Sequence, residues 1–461
     1  MNTGLLIIGG GPGGYSAAIR AAQLGERVTL IEKDEIGGTC LNRGCIPTKF
    51  FYKNVRVLSG MKSSEEFGIC LSDYSIDFEK MQEKKQKIIT QMKSGMEKLI
   101  KSYKIERIKG NASFKDSKTI IIKNGEEERH FTGKNILIAT GSIPFDPHIP
   151  GINLPGVINS EEILKISKIP KSLAIIGGGV IGIEFAGIYN AMDTRITVLE
   201  LMPSILPKFD KEIAKRLSMS LKRRGIKIDT DVEIEEINQI DSGLRVRIRS
   251  GKNKASIDVE NVLISTGRKM NTHELNLDAA GIIHDKNGIK VDSSYKTNIK
   301  GIFAIGDVIG GPMLAHVASE EGKAVAEIIM SSKCCMDYKV IPTCIYSFPE
   351  AAGVGITEEQ AIAQKIPYIT GKFFFGANGK ALAMQEGEGL VKVIAHSETK
   401  ELLGVHIVGP HASDLIHEGA VSIKNRLKAE DISKTIHAHP TLSEVFLEAI
   451  LGLDGRSVYM K

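Results

Sequence analysis

Cysteine is scarce. Six thiols in 461 residues cannot build a disulfide scaffold, so a disulfide here would be catalytic rather than structural, and a cytoplasmic location is the simplest expectation. Long apolar runs are missing too. No uninterrupted stretch of eighteen apolar residues occurs, and no charged n-region with an apolar h-region precedes the first strand, so neither a membrane span nor a targeting segment is expected. Charge of one sign is also lacking. The 60 basic and 55 acidic side chains leave a net charge of +5, and they interleave without the basic stripe that nucleic acid requires. Docking of an acidic partner stays open. No metal site is expected.

What is present is ordinary for a globular protein, with 42% hydrophobic and 25% charged residues. The length is too great for one core and predicts about three domains.

Two thiols separated by four residues stand in Gly-Gly-Thr-Cys-Leu-Asn-Arg-Gly-Cys-Ile-Pro-Thr-Lys, residues 37–49. Cys40 and Cys45 can close a small ring if the backbone bends, and Gly37, Gly38 and Gly44 supply bends. Pro47 suits the first turn of a following helix, whose N-terminus would lower a thiol pKa. Beside a nucleotide site, such a pair means electron transfer.

That site is announced by an internal echo. Gly9-Gly10-Gly11-Pro12-Gly13-Gly14 follows an apolar strand, and Glu32 ends the next one. Gly177-Gly178-Gly179-Val180-Ile181-Gly182 repeats the pattern, with Glu200 as its acid. In both copies the acid stands 18 residues after the last glycine. One glycine loop is a weak signal; two in register predict two dinucleotides, each with its pyrophosphate at a helix N-terminus and its ribose at the acid.

Between the copies, Met81, Ile88, Met92, Met96 and Leu99 recur at helical spacing and are expected to face a core. Asn124-Gly125 marks a hairpin. Ala139-Thr140-Gly141-Ser142 leads out of the first unit, and Ile264-Ser265-Thr266-Gly267-Arg268 leads back. From about residue 342 the pattern becomes strands followed by helices, an α+β unit without a glycine loop.

Four further features bear on chemistry. Lys49 lies one helical turn beyond Cys45, and Glu184 is placed to pair with it. Asp307 follows a parallel strand at its ligand-facing end; capping the helix near Ala315 is a second, compatible role. His439, beside Pro440 and followed five residues later by Glu444, reads as an oriented base and is favoured over His437. Cys334-Cys335 reads as an incidental exposed pair, and Cys70 and Cys344 as inert.

Together these motifs resemble the pyridine nucleotide–disulfide oxidoreductases, and within them the dihydrolipoamide-oxidising branch. The likeness runs essentially end to end, through Phe348-Pro349-Glu350, the stretch from Gly404 to Pro410, and His-Ala-His-Pro-Thr-Leu-Ser-Glu at 437–444. It implies an α/β fold with two Rossmann-like dinucleotide-binding domains, for FAD and NAD, plus a C-terminal α+β dimerisation domain. The expected divisions are 1–150 for the FAD domain, 151–270 for the NAD domain, 271–341 for the return segment and 342–461 for the interface domain. Catalytic roles are implied for Cys40 (interchange thiol), Cys45 (flavin-proximal thiol), Lys49 and Glu184 (flanking the flavin), and His439 with Glu444 (acid–base). Cofactor contacts are implied at Gly9, Gly11, Gly14, Glu32, Thr39, Lys49, Ala112, Thr140, Gly141, Asp307 and Ala315, and at Gly177, Gly179, Gly182, Glu200, Val232 and Gly267.

The implied reaction oxidises protein-bound dihydrolipoamide and reduces NAD. It implies a homodimer whose active sites are shared between subunits. It also implies a lipoyl-bearing partner from a 2-oxoacid dehydrogenase complex or glycine cleavage system. No lipoyl domain precedes the first strand, so that partner is expected to be a separate protein. The acid at Glu200 disfavours the 2′-phosphate of NADP, and Val180 stands where glutathione-type relatives carry a tyrosine. The ending Ser457-Val458-Tyr459-Met460-Lys461 lacks the cysteine pair of mercuric reductases. Two positions depart from the family pattern: Arg43 for a valine between the thiols, and Asp193 for a helix-ending glycine. Two other functions remain open, a reductase of another disulfide driven by NAD(P)H and a catalytically silent flavoprotein subunit.

Overall fold

The structure is a computed structural model that describes residues 2–330 and 336–459; Cys334 and Cys335 lie outside the described residues. Apolar strands with no polar alternation, such as Val28–Glu32 and Ser172–Ile176, are buried along their whole length. That is the pattern of parallel strands covered on both faces.

The first sheet has seven strands. Asn2–Ile8 is flanked in parallel by Val28–Glu32 and Glu127–Ile138, and Glu106–Lys109 extends the sheet beyond Val28–Glu32. The far half of Glu127–Ile138 also receives Ile302–Ala304 in parallel, while its near half forms the expected hairpin with Thr119–Asn124. Helix α1 (Pro12–Gln23) opens directly from the first glycine loop. Helices α2 (Gly38–Arg43) and α3 (Cys45–Lys62) carry the two thiols.

Helix α4 (Phe78–Ser102) corrects the expected core stripe. Met81 and Met96 of that stripe do pack against the core, but the helix buries Phe78, Lys85, Ile89 and Ile100, while Ile88, Met92 and Leu99 are 38%, 42% and 41% exposed. Periodicity located an apolar face, but the chain packs the neighbouring one, where Lys85 Nζ donates to the Leu164 carbonyl at 2.6 Å.

The second sheet repeats the first in smaller form. Its five strands are all parallel, in the order 227–229, 195–199, 172–176, 261–264, 157–159. Helix α5 (Val180–Ala191) opens from the second loop, and α6 (Lys211–Arg223) follows. An antiparallel three-stranded sheet over residues 233–259 packs against this unit. Asp193 ends α5 at φ 65°, the left-handed conformation expected of it. The chain leaves the first unit through Ser142–Pro144 and returns through Arg268–Met270, and these two strands pair antiparallel.

Helix α7 (Ala315–Ile329) then packs on α1. The last unit is a five-stranded antiparallel sheet over residues 343–409, covered by helices Ala412–Lys424 and Glu444–Leu451.

Candidate active site

The two glycine loops have nearly superimposable geometry. Gly9 and Gly177 sit at φ 106° and 109°, where an L side chain is strained. A Cβ on either would lie 2.3 Å from the Ala139 carbonyl oxygen or 2.6 Å from that of Ser265. Gly14 and Gly182 do not face the ligand cavity. A Cβ there would strike the carbonyl oxygens of Gly9 and Gly177, so these glycines let helix pack on strand.

The acids are equally matched. Glu32 accepts from Gly10 N–H at 2.6 Å and from Asp34 N–H at 2.8 Å. Glu200 accepts from Gly178 N–H at 2.6 Å and from Met202 N–H at 2.7 Å. Each carboxylate thus braces its own loop while retaining lone pairs for ribose hydroxyls.

One continuous cavity of about 1450 Å³ joins both loops and the thiols. Its wall includes Gly9, Gly11, Glu32, Thr39, Ala112, Thr140, Gly141, Asp307 and Ala315 on the first side. Gly177, Gly179, Glu200, Val232 and Gly267 line the second. Asp307 does not cap α7, whose N-cap is Leu314. It accepts from Ser142 Oγ at 2.5 Å, and Ser142 Oγ in turn accepts from Arg268 Nε at 2.7 Å.

Cys40, Cys45, Lys49 and Glu184 meet where the two halves of the cavity join. Cys45 is the first residue of α3, next to the helix N-terminus. The Cys40 side chain hydrogen-bonds to it, and that bond, with the Lys49 charge behind it, brings Cys45 down to about 7, its surface open to the cavity. The same bond, burial and the adjoining Cys45 charge push Cys40 far up. Of the two, Cys45 therefore ionises first, while Cys40 keeps the proton they share. Lys49 Nζ lies 2.9 and 2.8 Å from the two carboxylate oxygens of Glu184. Burial opposes the ammonium charge, yet Glu184 holds Lys49 above its ordinary range.

His439 and Glu444 are paired, Nδ1 to Oε1 at 2.8 Å, but they do not line this cavity. The His439 side chain is 77% exposed. His437 has its own carboxylate, Glu418 at 2.8 Å, and is only 6% exposed, which makes it a structural histidine. Arg43 is tied to Asp34 at 3.0 Å and Glu161 at 3.4 Å, so it braces the bend between the thiols.

Three residues near the site escaped the sequence reading. Arg268 was legible only as part of the return strand. Cys344 lines the cavity, where burial pushes its thiol up to about 12 and keeps it protonated. Tyr346 lies over Lys49, with Nζ 4.3 Å from the ring centroid. Nothing in the sequence near residues 344–346 signals either contact.

Residues 3–322 match the model of the pyridine nucleotide-disulphide oxidoreductases, and residues 341–450 match that family's dimerisation domain. The chain belongs to this family. It is 42% identical over 451 residues to a dihydrolipoyl dehydrogenase of Geobacillus stearothermophilus, covering 97% of this chain and 96% of that protein. A mitochondrial dihydrolipoyl dehydrogenase of Pisum sativum is 39% identical, over 99% of this chain and 92% of its own length. Among solved structures, the HOCl-induced flavoprotein disulfide reductase RclA of Escherichia coli superposes with a TM-score of 0.88 at 27% identity. That match covers 98% of this chain and 99% of RclA.

The family's dihydrolipoyl dehydrogenase type uses FAD and NAD, and both cradles fit. Two Cβ-free loops open helices, and each has an acid behind it with unused lone pairs. The matched dimerisation domain supports a homodimer. Among the described residues no helix is long and apolar enough to cross a membrane, and no cluster of side chains suits a metal ion.

Proposed function

We propose that the protein is a dihydrolipoyl dehydrogenase that oxidises dihydrolipoamide carried on a lipoyl-bearing protein and reduces NAD, in the cytoplasm. The observation that carries this reading is the placement of Cys40 and Cys45 between two nucleotide cradles, with the Lys49–Glu184 ion pair at the junction. Near 40% identity to proteins of that name over nearly the whole chain supports it.

The first glycine loop and Glu32 would hold FAD, with Thr39, Ala112, Thr140, Gly141, Asp307 and Ala315 along its length. The second loop, Glu200, Val232 and Gly267 would hold NAD. When bound, FAD supplies a two-electron relay between the thiol pair and the nicotinamide. The chain's residues handle sulfur and protons. A dihydrolipoyl thiol gives its proton to a histidine Nε2 and attacks Cys40 of the oxidised pair. The Cys40–Cys45 bond breaks as the mixed disulfide forms, and Cys45 departs as thiolate, stabilised by the helix N-terminus and Lys49. The second substrate thiol closes the lipoyl disulfide and expels Cys40, which takes up a proton.

That histidine is His439 of the partner subunit. Glu444 occupies Nδ1 and leaves Nε2 free as the acceptor. The exposure of His439 and its distance from its own chain's cavity favour sharing between subunits. The domain division follows: residues 1–150 with 271–341 for FAD, 151–270 for NAD, and 342–461 for the dimer. The lipoyl protein would come from a 2-oxoacid dehydrogenase complex or a glycine cleavage system.

The test is NAD reduction by free dihydrolipoamide on purified protein, with Cys40→Ser and NADP as controls. Rapid NAD turnover lost in the variant is the expected result. Silence with dihydrolipoamide, in protein whose flavin NADH still bleaches, overturns the substrate assignment.

A further inference from the structure

The Lys49–Glu184 pair is held by a third residue from a different part of the chain. Tyr346 follows the strand Thr343–Ile345 of the C-terminal sheet. Its ring lies 4.3 Å from Lys49 Nζ, and its backbone N–H donates to Glu184 Oε1 at 3.2 Å. It thus touches both members of the pair. Tyr346 stands behind them rather than on the cavity wall.

The ring itself is fixed. Tyr52, one turn beyond Lys49 on α3, packs edge-on against it, centroids 5.7 Å apart at 76°. The Tyr52 hydroxyl donates to Glu350 Oε1 at 3.0 Å, and Glu350 Oε2 accepts from both the backbone and the hydroxyl of Ser413. Three side chains of α3 are therefore held by one segment: Lys49 by Tyr346, Tyr52 by Glu350, and Arg56 by Glu350 at 3.8 Å.

We propose that Tyr346 is a positioning residue, its ring face and backbone N–H fixing Lys49 at the spot from which its charge acts on Cys45. This rests on the reading of Cys45, Lys49 and Glu184 as the electron-transfer end of the site. A cation over an aromatic face gains electrostatic attraction that a branched aliphatic side chain cannot supply. Without the ring, Lys49 has only Glu184 to direct it, and the ammonium is free to swing about that carboxylate and away from the thiolate. The charged and titratable groups that bear on Cys45 are Cys40 from α2, Lys49 from its own helix, Glu184 from α5, Arg268 from the return strand and Tyr15 from α1. Lys49 is the cation Tyr346 touches.

The experiment follows Cys45 alkylation by iodoacetamide against pH on reduced holoenzyme freed of reductant. Trypsin cuts after Arg43 and so separates the Cys40 peptide from the Cys45 peptide, which are then quantified by mass spectrometry. Tyr346→Leu is expected to move the Cys45 profile about 0.5–1 unit to higher pH. Lys49→Met moves it at least as far, and Tyr346→Phe, which keeps the ring but loses the hydroxyl near Ser413, stays with the wild type. Tyr346→Met serves if the leucine variant does not fold.

A wild-type profile in the leucine or methionine variant, with Lys49→Met shifted, overturns the proposal and leaves the site reading intact. A shift in Tyr346→Phe as large as in Tyr346→Leu also overturns it, since the hydroxyl and not the ring would be responsible. An unshifted Lys49→Met removes the reading of Lys49 and the proposal together.

Discussion

Lys49 and Glu184 meet as a two-pronged ion pair although 135 residues separate them, one behind the thiols and the other behind the second glycine loop. The contact joins the thiol helix to the unit assigned to NAD. The Glu184 side chain is 6% exposed and that of Lys49 32%. Removing the cation strands a nearly buried carboxylate, which destabilises more than removing both charges. Lys49→Met is therefore expected to lower the melting temperature more than the double variant Lys49→Met/Glu184→Gln. Calorimetry on the three proteins decides it.

Cys45 owes its low position first to the Cys40 hydrogen bond. Cys40→Ala removes that donor and should move the Cys45 thiolate transition upward from about 7, read as thiolate absorbance against pH. A transition that stays near 7 would mean that Lys49 and the helix N-terminus suffice.

His439 and His437 separate cleanly. His439→Gln should cost roughly 10²–10⁴-fold in dihydrolipoamide oxidation, the range of positioned acid–base groups. His437→Gln should lower stability and leave the pH–rate profile in place. Sharing between subunits gives a sharper test. Mixing Cys45→Ser chains with His439→Gln chains creates hybrid dimers holding one complete site if the histidine serves the partner, so activity should return. No recovery in verified hybrids would place the histidine in its own chain's site.

Asp210 and Lys392 form a fully buried pair at 2.8 Å, with Glu358 at 2.6 Å from the same ammonium. Lys392→Met should cost about 3–5 kcal/mol, because Asp210 loses its counter-charge and keeps only backbone donors. Burial works against the Asp210 carboxylate, but Lys392 holds it below its usual range. A depressed acid contributes stability above its unfolded pKa, and that contribution is lost as pH falls through the folded value. The wild type should therefore lose melting temperature on acidification below about pH 4 more steeply than Asp210→Asn.

Much of this site could be read from the chain because it is local. The glycines, the acid 18 residues on, and the thiols with four residues between them all lie within single supersecondary units, where spacing dictates geometry. Apart from the Lys49–Glu184 pair, contacts between segments distant in sequence left no trace. Tyr346 over Lys49, Cys344 in the cavity wall and Glu418 on His437 join segments distant in sequence. Helix α4 failed for a related reason. Periodicity gives the phase of an apolar face, but two such faces adjoin on α4, and only the packing partner decides which one is buried.

The lone proton shared by Cys40 and Cys45 also fixes how the pair responds to acidity as a redox couple. Above the Cys45 transition two-electron reduction takes up one proton, and below it two. The midpoint potential should then fall by about 30 mV per pH unit on the alkaline side and about twice that on the acid side. A break in slope at the Cys45 transition would be the electrochemical signature of a thiol pair that shares one proton.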